Sequence, residues 1–542
     1  MATSKTTTVS SPGKVLLAGG YLVLDREYSG LVVATSSRFY STVTSLPKST
    51  AQDKVILSVR AGQFPKESST WTYSVNIQND RLVINQINEN ELGKNKFIFI
   101  ALFQILSLAC EKIATESSLK GLDAAHELLR RITDDGNSDG LDIVVLADND
   151  FYSQREQLSA LSLPTQIHSL SSLQPFTPLP RPIPQTNKTG LGSSAALVTS
   201  LVASLLSHLN IVTLPSSYPQ SNSNHDLQLV HSLAQFAHCL AQGKVGSGFD
   251  VSSAVFGTHI YTRFSPSVLS PLMDRPLGSI TLSSPTLLPA LEPSQWDQRT
   301  TAFRLPKGLR LILADVDAGT DTPSFVGKVL TWRKENPEIA KKLWDDLDIA
   351  NRQIERLLTE LVAREGQVDY DETVGWMGER HIEDVSLYSF SDYSKRFLVP
   401  ICDYQVRVGR IRVDMSVLEQ HKENPTAVLL YEIRLTLFII RDFQRRMSEL
   451  SGVPIEPPEQ TRLLDACSEL EGVIGGGVPG AGGYDALFLL IVDTPSVVSR
   501  VDDLWSGWKE MSVCPLLAKQ SDGGLKVEEL DAVKGLKEAL SR

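Results

Sequence analysis

A two-domain protein of mixed helix and strand is what this sequence predicts. Three observations carry the reading. The chain has 542 residues, too many for one simple core. Residues 30–88 alternate β-branched and polar residues between Pro, Gly, Asn and Asp turns, which is a run of strands. The second half carries long helical patterns and most of the charge expected at the surface.

Composition narrows the class. With 42% hydrophobic and 21% charged residues, the chain has the make-up of a soluble globular protein. A net charge of −11 with no basic block argues against nucleic acid or an anionic membrane as partner. It leaves room for an anionic small substrate, because a few lysines in a cleft suffice locally. The five cysteines are scattered and form no Cys-x-x-Cys, which fits a reducing compartment and argues against a disulfide framework or zinc site. Residues 1–11 are polar and lack the apolar segment of a secretory signal. No uninterrupted apolar run approaches transmembrane length. The expectation is a cytoplasmic enzyme with no obligate protein partner.

The elements follow in order. Val15–Ala18 reads as a buried strand and Tyr21–Leu24 as a second apolar piece. The Gly19-Gly20 break between them lets something approach the backbone closely. Lys14 follows a Pro12-Gly13 turn, where a solvated lysine is the plain alternative to a functional one. Strands are expected at Arg38–Thr44, Val55–Arg60, Trp71–Ile77 and Arg81–Ile84, then helices at Phe97–Ile113 and Leu119–Ile132. Asp134–Gly140 lacks the spacing and terminal Glu of a calcium loop and reads as a polar turn before the strand Leu141–Ala147.

A proline-rich loop, Leu163–Asn187, delivers the chain to Lys188-Thr-Gly190-Leu191-Gly192-Ser193-Ser194-Ala195-Ala196. Two glycines allow tight backbone geometry, and two serines stand where the helix Ala195–Leu206 should begin, a favoured cap position. Amides at such a start, backed by the helix dipole, suit phosphate. Lys188 adds a point charge, and a serine hydroxyl can reach a phosphate-bound magnesium. An ordinary Gly-Ser cap is the alternative.

Asp226–Gln242 is an amphipathic helix, and its His231 and His238 read as packing or surface residues rather than metal ligands. A glycine-rich turn with Lys244 then leads to Asp250, either a helix cap or a carboxylate held at a cleft edge. Residues 265–306, rich in Ser, Pro and Leu, are the candidate boundary and give domains 1–300 and 301–542. Beyond them come the strand Leu309–Val316, helices at Ser324–Glu335, Ile339–Arg364 and Leu418–Leu450, and a solvated basic stretch at Arg407–Arg412. Last is Gly475–Ala486, with six glycines in the nine residues 475–483, before the strand Leu487–Val492. So many glycines mean that the backbone approaches something closely.

Gly190-x-Gly192-x-x-Ala195 and Gly475-x-Gly477-x-x-Gly480 both fit the dinucleotide fingerprint. The first follows no strand, and the second precedes one and contains Pro479, so neither has the required setting. There is no Walker Gly-Lys-Ser/Thr and no protein-kinase His-Arg-Asp or Asp-Phe-Gly.

The order of the three glycine segments resembles the GHMP kinase superfamily. Pro12-Gly-Lys-Val-Leu-Leu-Ala-Gly19 is similar to its first motif, Lys188–Leu197 to its phosphate-binding second and Gly477–Asp485 to its third. Gly-Gly-Tyr-Leu-Val-Leu-Asp25 and the other two segments resemble the fungal type of phosphomevalonate kinase within it. Gly20-Tyr21 stands where other members carry Glu-His, so no metal-binding carboxylate carries over there.

The resemblance implies a two-domain α+β fold, ribosomal-S5-like in the N-terminal half and ferredoxin-like in the C-terminal half, with the active site between. It implies ATP and Mg2+ as cofactors and 5-phosphomevalonate as substrate. Lys14, Lys188 and Asp250 are the implied catalytic residues, and Lys188, Gly190, Leu191, Gly192, Ser193, Ser194, Ala195 and Ala196 the nucleotide-binding ones. Ser194 or Ser193 would hold the metal, and Tyr21, Lys244, Gly480, Ala481, Gly482 and Gly483 would face the substrate. Another GHMP kinase, such as mevalonate kinase, and a non-catalytic ligand sensor are the alternatives.

Overall fold

The computed structural model describes residues 5–49, 54–215, 224–282, 286–316, 322–381 and 424–542. The basic stretch at Arg407–Arg412 and the first residues of the helix expected from Leu418 lie outside them.

Two sheets organise the described residues, one of eleven strands and one of four. Ser29–Ser45 is the axis of the first. It pairs antiparallel with Thr6–Ala18 on one side and with Gly140–Ala147 on the other, and most of its residues are buried. The sheet continues through Val55–Ala61, Thr70–Gln78 and Arg81–Gln86. Val55–Ala61 joins Gly140–Ala147 in parallel, which the intervening helices Lys96–Glu116 and Gly121–Ile132 make possible. The second sheet orders Val473–Gly477, Ala486–Val492, Leu309–Asp315 and Cys514–Leu516, all antiparallel.

Helices Lys96–Glu116, Ser193–His208 and His225–Gln242 bury their apolar residues with Val43, Leu57, Val59, Tyr73 and Val75 of the first sheet. A second core runs without a break from Val15, Leu17 and Val33 to Leu311, Leu313, Leu489 and the long helices Pro337–Ala363 and Pro425–Ser451. The two sheets thus share one apolar body.

Three expectations need correction. Thr6–Ala18 begins nine residues before the predicted strand, because its polar side chains find partners: Thr8 meets Thr42 at 3.0 Å and Ser10 donates to Glu528 at 2.7 Å. Pro12-Gly13 lies inside this strand, at a register shift, and not in a turn before it. Lys96–Glu116 is long and apolar enough to cross a membrane by length and composition, contrary to the reading above, yet most of it is buried inside the fold. Tyr21–Leu24 belongs to a short 3-10 turn, Gly20–Leu24.

The chain's end returns to the first sheet: Gln520–Ser521 and Lys526–Val527 pair with its two leading strands. Buried carboxylates mark this closure. Asp150 accepts from the Ser37 hydroxyl at 2.6 Å and the Leu517 amide at 2.7 Å. Burial pushes the Asp148 carboxyl up to about 7, against the Arg38 amide bonded to it at 2.7 Å, and Asp150 adds to the rise. A folded pKa above the unfolded one means stability present at pH 4 and lost as pH rises through 7. Asp148→Asn is therefore expected to gain about 2 kcal/mol over the parent at pH 8 and nothing at pH 4. Denaturant titrations at the two pH values check it, and an equal difference at both refutes it.

Candidate active site

The second glycine segment is built for an anion. Gly190 and Gly192 both take positive φ, +79°, and Gly192 is the N-cap of helix Ser193–His208. The serines do not cap, contrary to the expectation from sequence. They are the first two helical residues, and no side chain bonds the helix start. The amides of Ser193, Ser194 and Ala195 therefore have no intrahelical partner and no side chain to satisfy them. Ala196 is different: its amide donates to Gly192 at 3.1 Å and its carbonyl accepts from Ser11 at 2.7 Å, which pins the helix to the first strand.

Lys14 reaches this loop from the first strand. Its amide donates to the Leu191 carbonyl at 3.0 Å and its Nζ to the Gly190 carbonyl at 2.7 Å. Both glycines nearby are required. A Cβ on Gly13 would stand 2.8 Å from Thr35 Oγ1, and one on Gly192 would stand 3.1 Å from the lysine stem. The ammonium lies 5.5 Å above the Phe249 ring. Burial lowers its pKa, and the Asp250 carboxylate opposes that fall. Asp250 is in the first turn of helix Phe249–Phe256, with Oδ1 accepting from the Val251 amide at 2.9 Å and Oδ2 4.0 Å from His238 Nε2. That Nε2 is 3.0 Å from Ser194 Oγ. Lys14, Ser194, His238 and Asp250 thus form one cluster.

The third segment closes the other side. Gly480, Gly482 and Gly483 all have positive φ. The Tyr21 hydroxyl donates to the Ala481 carbonyl at 2.8 Å, and a Cβ on Gly20 would lie 4.0 Å from the Gly480 carbonyl. A Cβ on Gly190 would lie 3.9 Å from that of Ala486. All three glycine segments therefore meet. Tyr21 is buried, its phenol pKa raised by that burial, so it serves as a latch between two segments.

Two candidates stand apart from this cluster. Lys188 is exposed, and its backbone bridges to Tyr152. Lys244 is exposed after the Gly243 cap, with no side-chain bond among the described residues. The turn it belongs to is held by Arg263, which donates to the Val245 carbonyl at 3.0 Å, to Gly246 at 2.7 Å and also to Leu24.

Comparison with known proteins settles the family. Residues 436–504 match the family described as GHMP kinases C terminal. The chain is 34% identical over 538 residues to the peroxisomal phosphomevalonate kinase of Arabidopsis thaliana, covering 96% of each protein. It is 33% identical over 531 residues to the phosphomevalonate kinase of Aspergillus fumigatus, covering 93% of this chain and 90% of that one. The chain belongs to the phosphomevalonate kinases. Its fold is shared with the Streptococcus pneumoniae phosphomevalonate kinase in complex with phosphomevalonate and AMPPNP, at TM-score 0.51 and 12% identity over 95% of this chain and 99% of that one. A Lin0012 protein from Listeria innocua gives TM-score 0.54 at 14% identity, over 97% and 100% of the two chains.

The residues of this candidate site fit magnesium. Among the described residues no three His, Cys, Asp or Glu side chains gather into a metal-holding group. A cation that arrives on the triphosphate and keeps most of its waters needs only one or two protein oxygens. Ser194, half-buried at the helix start, offers one; Asp250, with 23% of its side chain exposed, offers a carboxylate. The sequence did not display that His238 reaches Ser194 or that Arg263 holds the turn before Asp250. The signal for His238 was its place, one helical turn before the glycine turn that carries Asp250.

Proposed function

We propose that this kinase transfers the γ-phosphoryl group of ATP to the phosphate of 5-phosphomevalonate, giving 5-diphosphomevalonate and ADP. One observation carries the assignment of chemistry: a helix start with three unclaimed amides stands beside a lysine whose Nζ donates to the same glycine loop at 2.7 Å. The identity of the acceptor follows from the names of the relatives.

The acceptor phosphate, with a second pKa near 6, is already dianionic at neutral pH, so its oxygen can attack without losing a proton. As the new P–O bond forms, the bond from the γ-phosphorus to the β–γ bridging oxygen breaks and ADP leaves. Catalysis is then mostly positioning and charge neutralisation. Lys14 offsets the repulsion between the γ-phosphate and the acceptor, and Lys188, exposed on the approach to the loop, adds positive charge for the triphosphate. The amides of Gly190–Ser194 hold the β- and γ-phosphates. Asp250 orients Lys14 and the acceptor, and the backbone of Gly480, Ala481, Gly482 and Gly483 lines the acceptor side. Ser194 or Ser193 would contribute an oxygen to magnesium, which would supply charge stabilisation on the phosphates when bound. The division into domains near residue 300 and a cytoplasmic location are parts of the same proposal; the name of the Arabidopsis relative places that protein in peroxisomes.

The test is ADP release with magnesium-ATP and, separately, mevalonate, 5-phosphomevalonate and 5-diphosphomevalonate, with products identified by mass. Turnover confined to 5-phosphomevalonate is expected. Turnover of mevalonate instead would return Asp250 as the base for an alcohol acceptor and overturn the assignment.

A further inference from the structure

We propose that His238 is a positioning residue that fixes the Ser194 hydroxyl, accepting its hydrogen at Nε2 so that the oxygen lone pairs face out of the glycine loop. The proposal rests on the kinase reading above and adds a residue to it.

Three contacts converge on His238 Nε2. Ser194 Oγ is 3.0 Å away and the Gln242 side-chain nitrogen 3.4 Å. An amide nitrogen only donates, so Nε2 faces it as an acceptor. Asp250 Oδ2 stands 4.0 Å from the same atom, beyond the reach of an N–H···O bond. A protonated Nε2 would close on that carboxylate. The geometry therefore assigns the ring hydrogen to Nδ1 and leaves Ser194 as the donor to Nε2. The ring cannot turn away: it is 2% exposed, and Phe97 packs on it with centroids 5.8 Å apart.

A serine hydroxyl in a helix otherwise turns back to a nearby backbone carbonyl. Here its hydrogen is drawn inward, toward the helix His225–Gln242. The lone pairs are then presented, without reorganisation, to the hard cation that travels with the triphosphate. His238 touches no reacting atom in this arrangement and acts through Ser194.

The test compares His238→Phe, His238→Gln, Ser194→Ala and Ser194→Ala/His238→Phe. For each, kcat, both KM values, the melting temperature and Mn2+ affinity in the presence of ADP (by electron paramagnetic resonance) are measured. His238→Phe should lower kcat and weaken Mn2+ binding by about tenfold, the loss of one well-made hydrogen bond to a charged site. Its KM for 5-phosphomevalonate and its melting temperature should stay near those of the parent. His238→Gln places an acceptor oxygen where Nε2 was and should recover most of both losses. Adding His238→Phe to Ser194→Ala should cost nothing more. Equal losses in the Phe and Gln variants, or an undiminished loss in the Ser194→Ala background, would overturn the proposal. If the Phe variant does not fold, Asn, which is too short to reach Ser194, replaces it against Gln. Turnover of 5-phosphomevalonate by the parent in the same assay keeps a failure here distinct from a failure of the kinase reading.

Discussion

Lys14→Met is expected to lower kcat about a thousandfold while the fold survives. Two unit charges 4 Å apart interact by about 4 kcal/mol at the effective dielectric of a protein cleft. Two phosphates brought to reacting distance repel on that scale, and a cation between them removes it. Lys14 is the lysine placed to do so. Its Nζ already lies 2.7 Å from the glycine-loop carbonyl of Gly190, and the Asp250 carboxylate offsets part of the fall that burial imposes on its pKa. Methionine keeps the length and the apolar stem against Gly192, so the loss is mainly of charge. Lys188 is exposed on the approach to the loop, so Lys188→Met should cost about tenfold, mostly in the KM for ATP, as an exposed charge is screened by solvent. Steady-state kinetics and melting temperatures of both variants check this. A Lys14→Met enzyme within tenfold of the parent would refute the charge argument, and a larger loss at Lys188 would shift the burden to the second segment.

The elements of this kinase were legible because local pattern dictates them. The apolar periods of Lys96–Glu116, His225–Gln242 and Pro337–Ala363 give helices within a few residues of where the sequence puts them. The three glycine segments were legible too, since glycines in such number have few structural uses. What the sequence does not display is which motif meets which. Gly20 against Gly480, Gly190 against Ala486 and Tyr21 against Ala481 are contacts between segments hundreds of residues apart. The start of the first strand was hidden because Thr6–Ser11 are polar, and only their partners across the sheet make them strand. The helix start was misplaced by two positions, Ala195 for Ser193, because Gly192 takes the cap in a left-handed conformation. That shift has a consequence for function: a capping serine would occupy one of the amides, whereas a glycine cap leaves them for phosphate. His238 was read as packing because a histidine on an apolar helix face usually is, and His231 bears this out: it is fully buried between Phe256 and Trp296, with neither ring nitrogen bonded.

The third segment depends on a buried ion pair, and breaking it gives the largest expected loss of stability. Arg441, 2% exposed, donates to the fully buried Glu456 carboxylate at 3.0 and 2.8 Å and to Asp465 at 2.9 Å. Arg445 and the Thr461 hydroxyl complete the shell of Glu456 at 2.9 and 3.0 Å. The neighbouring residue, Ile455, is the floor of the glycine loop. Its carbonyl accepts from the Gly483 amide at 2.8 Å, and a Cβ on Gly482 would lie 2.2 Å from it. Arg441→Met leaves a buried carboxylate with half its compensation, which costs about 3–5 kcal/mol. The pH dependence gives the mechanism away. Burial alone would raise the Glu456 pKa, but Arg441 and Arg445 together hold it below the usual range. A depressed carboxyl contributes stability above its unfolded pKa and loses it as pH falls through the folded one. In the variant Glu456 protonates more easily, so its deficit should be full at pH 7 and shrink towards pH 4. Adding Glu456→Gln should recover part of the loss at pH 7, because no charge is then left unpaired. Denaturant titrations of the single and double variants at both pH values decide it: a deficit that ignores pH, or a double variant no better than the single, would mean that Arg441 acts by packing alone.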